Sequence, residues 1–307
     1  MPPSAASPAA VSCVATLVAP TTQPCLTDAL LARAAQAVPA PGSAAWLAPG
    51  IAADIPFLGE PASARTLADA VRAAVDAPVD VIVQATATRR KRLFLADMDS
   101  TMIGQECIDE LADFVGLREQ VSTITERAMR GELAFEPALR ERVALLKGLP
   151  VSTAGRIIAE RITFTPGGRE LVLTMRANGG YTALVSGGFT LFTGPISAAI
   201  GFDEHRSNIL LTEGEALAGR VAEPIVGKEA KLAALVELRD RFSLPHWATM
   251  AVGDGANDLA MLGDAGLGYA FRAKPAVAAA AHVRLDHADL SALLYAQGYK
   301  ADQFVRA

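Results

Sequence analysis

Short apolar runs alternate along the chain with segments whose apolar residues recur at helical spacing. Near the start, residues 11–18 predict a strand, 27–38 a helix, 44–57 irregular chain or strand, 62–75 a helix and 79–84 a strand. Together they predict a small α/β module over residues 1–88. The basic run Arg89-Arg90-Lys91-Arg92 follows and reads as a solvated linker opening a second unit, 89–307. Residues 93–96 read as a buried strand ending in acidic and hydroxyl residues. From 103 to about 165 the pattern is helical, as in Ile108, Leu111, Ala112 and Val115, with Gly116 as a stop signal, and predicts a helical insertion. Beyond it come a helix over 166–178, with Thr165 as N-cap and Pro166 at its first position, and a strand at 181–185. A hairpin is expected at 208–221, around Glu213-Gly214-Glu215. The rhythm then resumes with a helix at 229–241, a strand at 249–252, a helix from Asn257, a strand at 267–271, a helix near 275–281 and a strand at 283–285. Repeated β/α units predict an α/β fold, with a parallel sheet, helices on both faces and ligands at the carboxyl ends of the strands.

Composition narrows the field. At 307 residues the chain exceeds the usual single-domain size, which agrees with two units. Apolar residues at 51% can supply a sizeable core. A net charge of -5, with no basic stripe, gives no general attraction to nucleic acid or anionic lipid, so neither is expected as a partner. No Lys or Arg precedes Arg33, so a secretory n-region is missing, and no apolar run suits a membrane span; a cytoplasmic location is expected. Cys13, Cys25 and Cys107 lack the spacing of a zinc site or a disulfide framework and read as reduced.

Candidate chemistry lies where strands end. Asp97-Met98-Asp99-Ser100-Thr101 follows the strand at 93–96, and its two carboxylates would repel unless a cation intervened. Taken alone, such a pair could also just begin a loop or cap a helix. Ser186-Gly187-Gly188 offers a hydroxyl and exposed N–H groups that suit a phosphate oxygen, although a tight turn would explain it equally. Gly253-Asp254-Gly255-Ala256-Asn257-Asp258 adds oxygen donors of the kind Mg²⁺ prefers, with Asn257 as an amide for phosphate or a helix cap. Lys228 and Lys231 lie just ahead of it.

These pieces, in this order, resemble the haloacid dehalogenase (HAD) superfamily, and the helical start Gln105-Glu106-Cys107-Ile108-Asp109-Glu110 resembles its phosphoserine phosphatase family. The resemblance spans about residues 93–289 and implies a Rossmann-like HAD fold, with a helical-bundle cap inserted after the first core strand at about 103–165. It implies Asp97 as nucleophile and Asp99 as acid and base, with Mg²⁺ held by Asp97, the carbonyl of Asp99 and Asp254, and Asp258 in support. Ser186, Gly187, Lys231 and Asn257 would hold phosphate, Lys231 being favoured over Lys228 because an apolar helix face follows it. For the substrate, Glu106 would take an ammonium and Arg142 a carboxylate, with Met129, Phe135 and Gly188 around them. Met98 stands where the family often has Phe, facing the sheet interior. The first 88 residues resemble only loosely a small regulatory, ACT-like module.

The activity so implied is Mg²⁺-dependent hydrolysis of phosphoserine through an aspartyl phosphate, the last step of serine biosynthesis. A phosphotransferase of the same fold, passing the group to homoserine, is the alternative. An amino-acid-sensing regulator with a vestigial phosphatase part is disfavoured by the intact Asp97, Asp99, Lys231 and Asp254. The oligomeric state stays open, a homodimer being one option.

Overall fold

Where the basic run was expected to be solvated, the chain buries part of it and leaves Arg90 and Arg92 exposed. In the computed structural model, which describes residues 11–129 and 132–306 with the Met129 side chain outside the description, Lys91 is 8% exposed and Arg89 is an ion-pair partner of Asp54 at 2.8 Å. The Lys91 ammonium donates to the carbonyls of Thr88 (3.0 Å) and Trp247 (2.8 Å), and burial lowers its pKa to about 8. Arg90 stacks over the Tyr299 ring, 3.4 Å from its centroid. This corrects the solvated-linker reading for Arg89 and Lys91. The cause is a second covered face on the sheet that precedes the run.

That sheet is built from β1 (Val11–Val18), β2 (Ala45–Ala48), β3 (Ala52–Gly59) and β4 (Asp80–Ala85) in the order β2-β3-β1-β4, and both partners of β1 run antiparallel to it. Helices α1 (Asp28–Ala35) and α2 (Ala64–Val75) cover one face, where Leu17, Ile55 and Val83 meet Leu31, Val71 and Val75. Thr27 caps α1 through a bond from Leu30 N. The segment expected as irregular chain or strand is two strands joined by a turn with Gly50 at φ 77°, a left-handed conformation that suits glycine. On the opposite face Val18, Ala52 and Ile82 join the core of the larger unit. A strand buried on both sides reads as a near-continuous apolar run, as β1 does.

The larger unit centres on six parallel strands in the order β12-β11-β10-β5-β6-β7. They are β5 (Leu93–Ala96), β6 (Tyr181–Phe189), β7 (Glu204–Asn208), β10 (Thr249–Gly253), β11 (Gly268–Phe271) and β12 (Val283–Leu285). Alternate residues of β5 divide between two cores: Leu93 and Leu95 face α9 (Lys228–Arg241) and α10 (Leu259–Asp264), whereas Phe94 and Ala96 face α7 (Gly168–Ala177) and α8 (Thr190–Ile200). Helices therefore cover both faces, with α11 (Pro275–Ala280) and α12 (Ala292–Ala296) completing the layers. From β5 the chain moves to β6 and β7 on one side and later to β10, β11 and β12 on the other. The crevice at this change of direction is where parallel sheets bind ligands.

Between β5 and α7 lie α3 (Cys107–Phe114), α4 (Arg118–Met129), α5 (Phe135–Ala144) and α6 (Thr153–Glu160), and an antiparallel bridge from Ile103 to Phe164 closes this insertion at its base. The hairpin β8 (Leu210–Glu213) and β9 (Ala216–Val221) extends from the sheet to the insertion, where Gly148 N donates to Leu217 O at 2.8 Å. Helix α7 begins later than the pattern predicts. Gly167 adopts φ 77° against the 289–291 backbone, and Leu290 N takes the Pro166 carbonyl, so neither Thr165 nor Pro166 opens the helix.

Candidate active site

Asp97 follows the last residue of β5, its N–H bonded to Val252 O of β10 at 3.0 Å. The chain then leaves strand geometry, Asp99 staying extended while Ser100 turns left-handed at φ 53°. A non-glycine residue held there costs on the order of 1 kcal/mol or more. Its bonds compensate: Ser100 N donates to Gln105 O (3.3 Å) and Ser100 Oγ to Glu106 Oε1 (2.6 Å).

Behind Asp97 stands Lys231, fully buried, its ammonium 2.7 Å from Asp97 Oδ1 and 2.6 Å from Asp258 Oδ1. Lys228 instead sits exposed beside Glu229 at 3.5 Å. Asp254 follows β10, accepting from Thr101 Oγ1 at 3.3 Å. Asp258 also accepts from Gly255 N at 3.0 Å, and a Cβ on Gly253 would fall 2.3 Å from its Cγ, so only glycine lets this loop close. Carboxylate oxygens of Asp97, Asp254 and Asp258 lie within 4.8 Å of one another.

Such crowding has an electrostatic cost. Burial first, then the Asp258 charge, drives the Asp97 carboxyl well above the usual range, and Lys231 opposes both. Asp254 rises to about 6 through burial, Asp258 and Glu106. Burial disfavours a charged Lys231, yet Asp97 and Asp258 outweigh it and raise its pKa. A hard divalent cation among these oxygens would relieve the remaining repulsion, so the donor set fits Mg²⁺.

Asp99 projects beside the carboxyl end of β6: a Cβ on Gly188 would lie 3.0 Å from Asp99 Oδ2 and 3.0 Å from Ser186 Oγ. Burial, followed by the Glu106 charge, lifts Asp99 to about 7. Buried Ser186 accepts from Gly188 N at 2.9 Å. Asn257 folds its side-chain oxygen towards Gly255.

Overhead, Glu106 precedes α3 and has its carboxyl raised by burial, with Ser100 and Arg142 opposing. Arg142, on α5, bonds neutral oxygens of Ala138 and Thr125, both at 3.3 Å, leaving guanidinium donors for an incoming carboxylate. Phe135 lies 3.5 Å from where Cβ atoms on Gly187 and Gly227 would be, so its ring roofs the glycine loop. Met129 ends α4, but its side chain lies outside the described residues.

Two contributors were missed by sequence reasoning. Asn208, 2% exposed at the end of β7, donates to Gly187 O (2.8 Å) and Val226 O (3.2 Å) and accepts from Val226 N (2.7 Å), tying the Ser186 loop to the entry of α9. Thr101 was noted only within its motif, without the role at Asp254. No local signal marks Asn208, because its partners come from distant segments.

A buried lysine–carboxylate cluster at the switch point of a parallel sheet, beneath an inserted helical cap, defines a hydrolase of the haloacid dehalogenase type. The profile described as haloacid dehalogenase-like hydrolase matches residues 94–263, and the chain belongs to that family. Phosphoserine phosphatase from Saccharomyces cerevisiae is 42% identical over 73% of this chain and 74% of its own length. A HAD-family hydrolase from Salmonella enterica serovar Typhi superposes over 94% of this chain and 99% of its own, with TM-score 0.79 and 28% identity. A phosphoserine phosphatase structure described as a phospho-aspartyl intermediate analogue covers 67% of this chain and 98% of its own, with TM-score 0.62 and 38% identity. The chain is a phosphatase of this family. Among the described residues no helix is long and apolar enough to cross a membrane.

Proposed function

We propose that this phosphatase hydrolyses O-phosphoserine to serine and phosphate, with Mg²⁺ and an aspartyl phosphate on Asp97, as the last step of serine biosynthesis. The reading is carried by one observation: Asp97, Asp254, Asp258 and Lys231 converge beneath Glu106 and Arg142. Three charges on the substrate thus have three complements.

In the first step an Asp97 carboxylate oxygen attacks phosphorus in line, and the bond from phosphorus to the serine Oγ breaks. Asp99 gives its proton to that departing oxygen, and a carboxyl near pKa 7 holds such a proton at neutral pH. Water then attacks the phosphorus and loses a proton to Asp99, and the bond to Asp97 breaks, which restores both carboxyl groups. Lys231, Ser186 Oγ and the Gly187 N–H hold the phosphoryl oxygens, and the Asn257 amide approaches from the loop after β10. Mg²⁺, held by Asp97, the Asp99 carbonyl and Asp254 with Asp258 in support, would neutralise charge between nucleophile and phosphate. Glu106 takes the substrate ammonium and Arg142 its carboxylate, while Phe135 and Gly188 wall the site and exclude water. The module of residues 1–88 is read as a regulatory, ACT-like attachment to this catalytic unit.

The test is release of inorganic phosphate from phosphoserine, phosphothreonine and sugar phosphates, with and without Mg²⁺, plus an assay for phosphohomoserine when homoserine is added. Hydrolysis of phosphoserine that needs Mg²⁺ and exceeds the others is expected. A sugar phosphate turned over faster, or phosphohomoserine formed in place of free phosphate, would overturn the reading.

A further inference from the structure

Outside the reaction crevice, a cleft of about 370 Å³ opens where the N-terminal module meets the catalytic unit. One wall is α2 with β4, and the other is α11 with β12, so neither unit forms it alone. Its floor is fixed. Asp80 of β4 accepts the N–H groups of Asp286 (2.9 Å), His287 (3.0 Å) and Ala288 (2.7 Å), just beyond β12.

Three guanidinium groups stand in a lining that is otherwise mostly apolar. Arg65 and Arg72 come from α2 and Arg284 from β12, against the carboxylates Asp69 and Asp286 and the ring of His282. Each acid is already engaged, Asp69 with Arg72 at 2.5 Å and Asp286 with Arg284 at 3.4 Å. Arg65 is exposed and makes no ion pair among the described residues. Arg72 is mostly buried, donates from Nη2 to Val81 O at 3.1 Å, and leaves its buried Nε without an acceptor. Burial first and then the Arg284 charge lower the Arg72 pKa, while the Asp69, Asp80 and Asp286 carboxylates oppose them. Cations from two walls, with Arg65 unpaired among the described residues, form a site that an oxyanion would complete. The volume falls in the range of small-molecule sites.

We propose that this cleft is a second binding site, for a small organic anion whose carboxylate or phosphate group bridges Arg65 and Arg72 of the module to Arg284 of the catalytic unit. The inference goes beyond the hydrolytic reading and stands whichever substrate the phosphatase takes. An occupant that touches both walls fastens the module to the catalytic unit, because binding to the joined form alone stabilises that form.

The experiment is hydrogen–deuterium exchange of the full chain, titrated separately with inorganic phosphate and with succinate. In the expected result, at least one anion slows exchange saturably in both 64–75 and 275–286. In Arg65→Gln/Arg284→Gln the apparent affinity at those segments falls about tenfold or more, the loss of a charged hydrogen bond. Both replaced side chains are exposed, so the variant should fold, and phosphate protection of 253–258 should persist in it as a control. Protection by phosphate alone assigns a phosphate-bearing ligand, and protection by succinate alone a carboxylate. Protection confined to the 97–101, 186–188 and 253–258 loops, or protection of the cleft equal in wild type and variant, would overturn the proposal.

Discussion

Removing the Arg89 guanidinium tests whether the junction of the two units is held by a buried charge pair. Arg89 donates to both oxygens of Asp54 (2.8 and 3.1 Å), to Thr16 Oγ1 (3.3 Å) and to the carbonyls of Ala296 (3.0 Å) and Tyr295 (3.1 Å). The side chains of the pair are only 13% and 11% exposed. In Arg89→Met the aliphatic stem is kept, but Asp54 retains just the Thr16 hydroxyl at 2.6 Å, and Tyr295 O loses this donor. An uncompensated buried carboxylate of this kind costs about 3–5 kcal/mol, against roughly 5–15 kcal/mol for a whole domain. Urea unfolding of the full chain should show that loss as a lower midpoint at unchanged slope. With Asp54→Asn the charge left behind is removed, so the double variant should lose less than the two single losses combined, by about 0.5–3 kcal/mol. A cost for Arg89→Met below about 1 kcal/mol, the value of an exposed pair, would show that water already reaches the junction. Simple addition of the single losses would refute the pairing itself.

At the reaction centre, Asp97→Asn should abolish turnover while the unfolding midpoint stays or rises, since a crowded buried charge is removed; residual turnover near wild type would exclude Asp97 as nucleophile. Arg142→Ala should cost phosphoserine about 1.5–3 kcal/mol in kcat/KM and p-nitrophenyl phosphate far less, so equal losses on both would take Arg142 out of substrate reading. Asp99 works as an acid only when protonated, and its pKa lies near about 7, so kcat/KM for phosphoserine should fall as pH rises through that region. With p-nitrophenyl phosphate, whose leaving group needs no proton, the alkaline decline should flatten, and identical profiles would argue against Asp99 as the acid.

The site was legible because parallel core strands are apolar runs and each candidate group stands where such a run stops, as with Asp97 after Leu93–Ala96 and Asp254 after Thr249–Gly253. What escaped lacks that contrast. Helix α8 carries Gly194-Pro195 at its middle, which reads as a break, yet α8 continues through Pro195. Strand β7 is the polar sequence Glu-His-Arg-Ser-Asn at the edge of the sheet, so no apolar period reveals it, and Asn208 went unseen with it. Arg89 and Lys91 misled for a tertiary reason: charge along a segment says nothing of what another unit will lay over it. Yet β1 and β4 hold a clue, being apolar on both faces apart from a few polar residues. Two of those residues, Thr16 and Gln84, together with Asp54 of neighbouring β3, meet Arg89 and the Ala296 carbonyl across the junction. A sheet covered twice has to choose where its second cover sits, and apolar side chains tolerate sliding that a buried carboxylate does not. Shift the module by one residue pair along β3 and Asp54 faces no guanidinium. The polar residues that looked out of place in an apolar strand thus fix the register in which the two units dock.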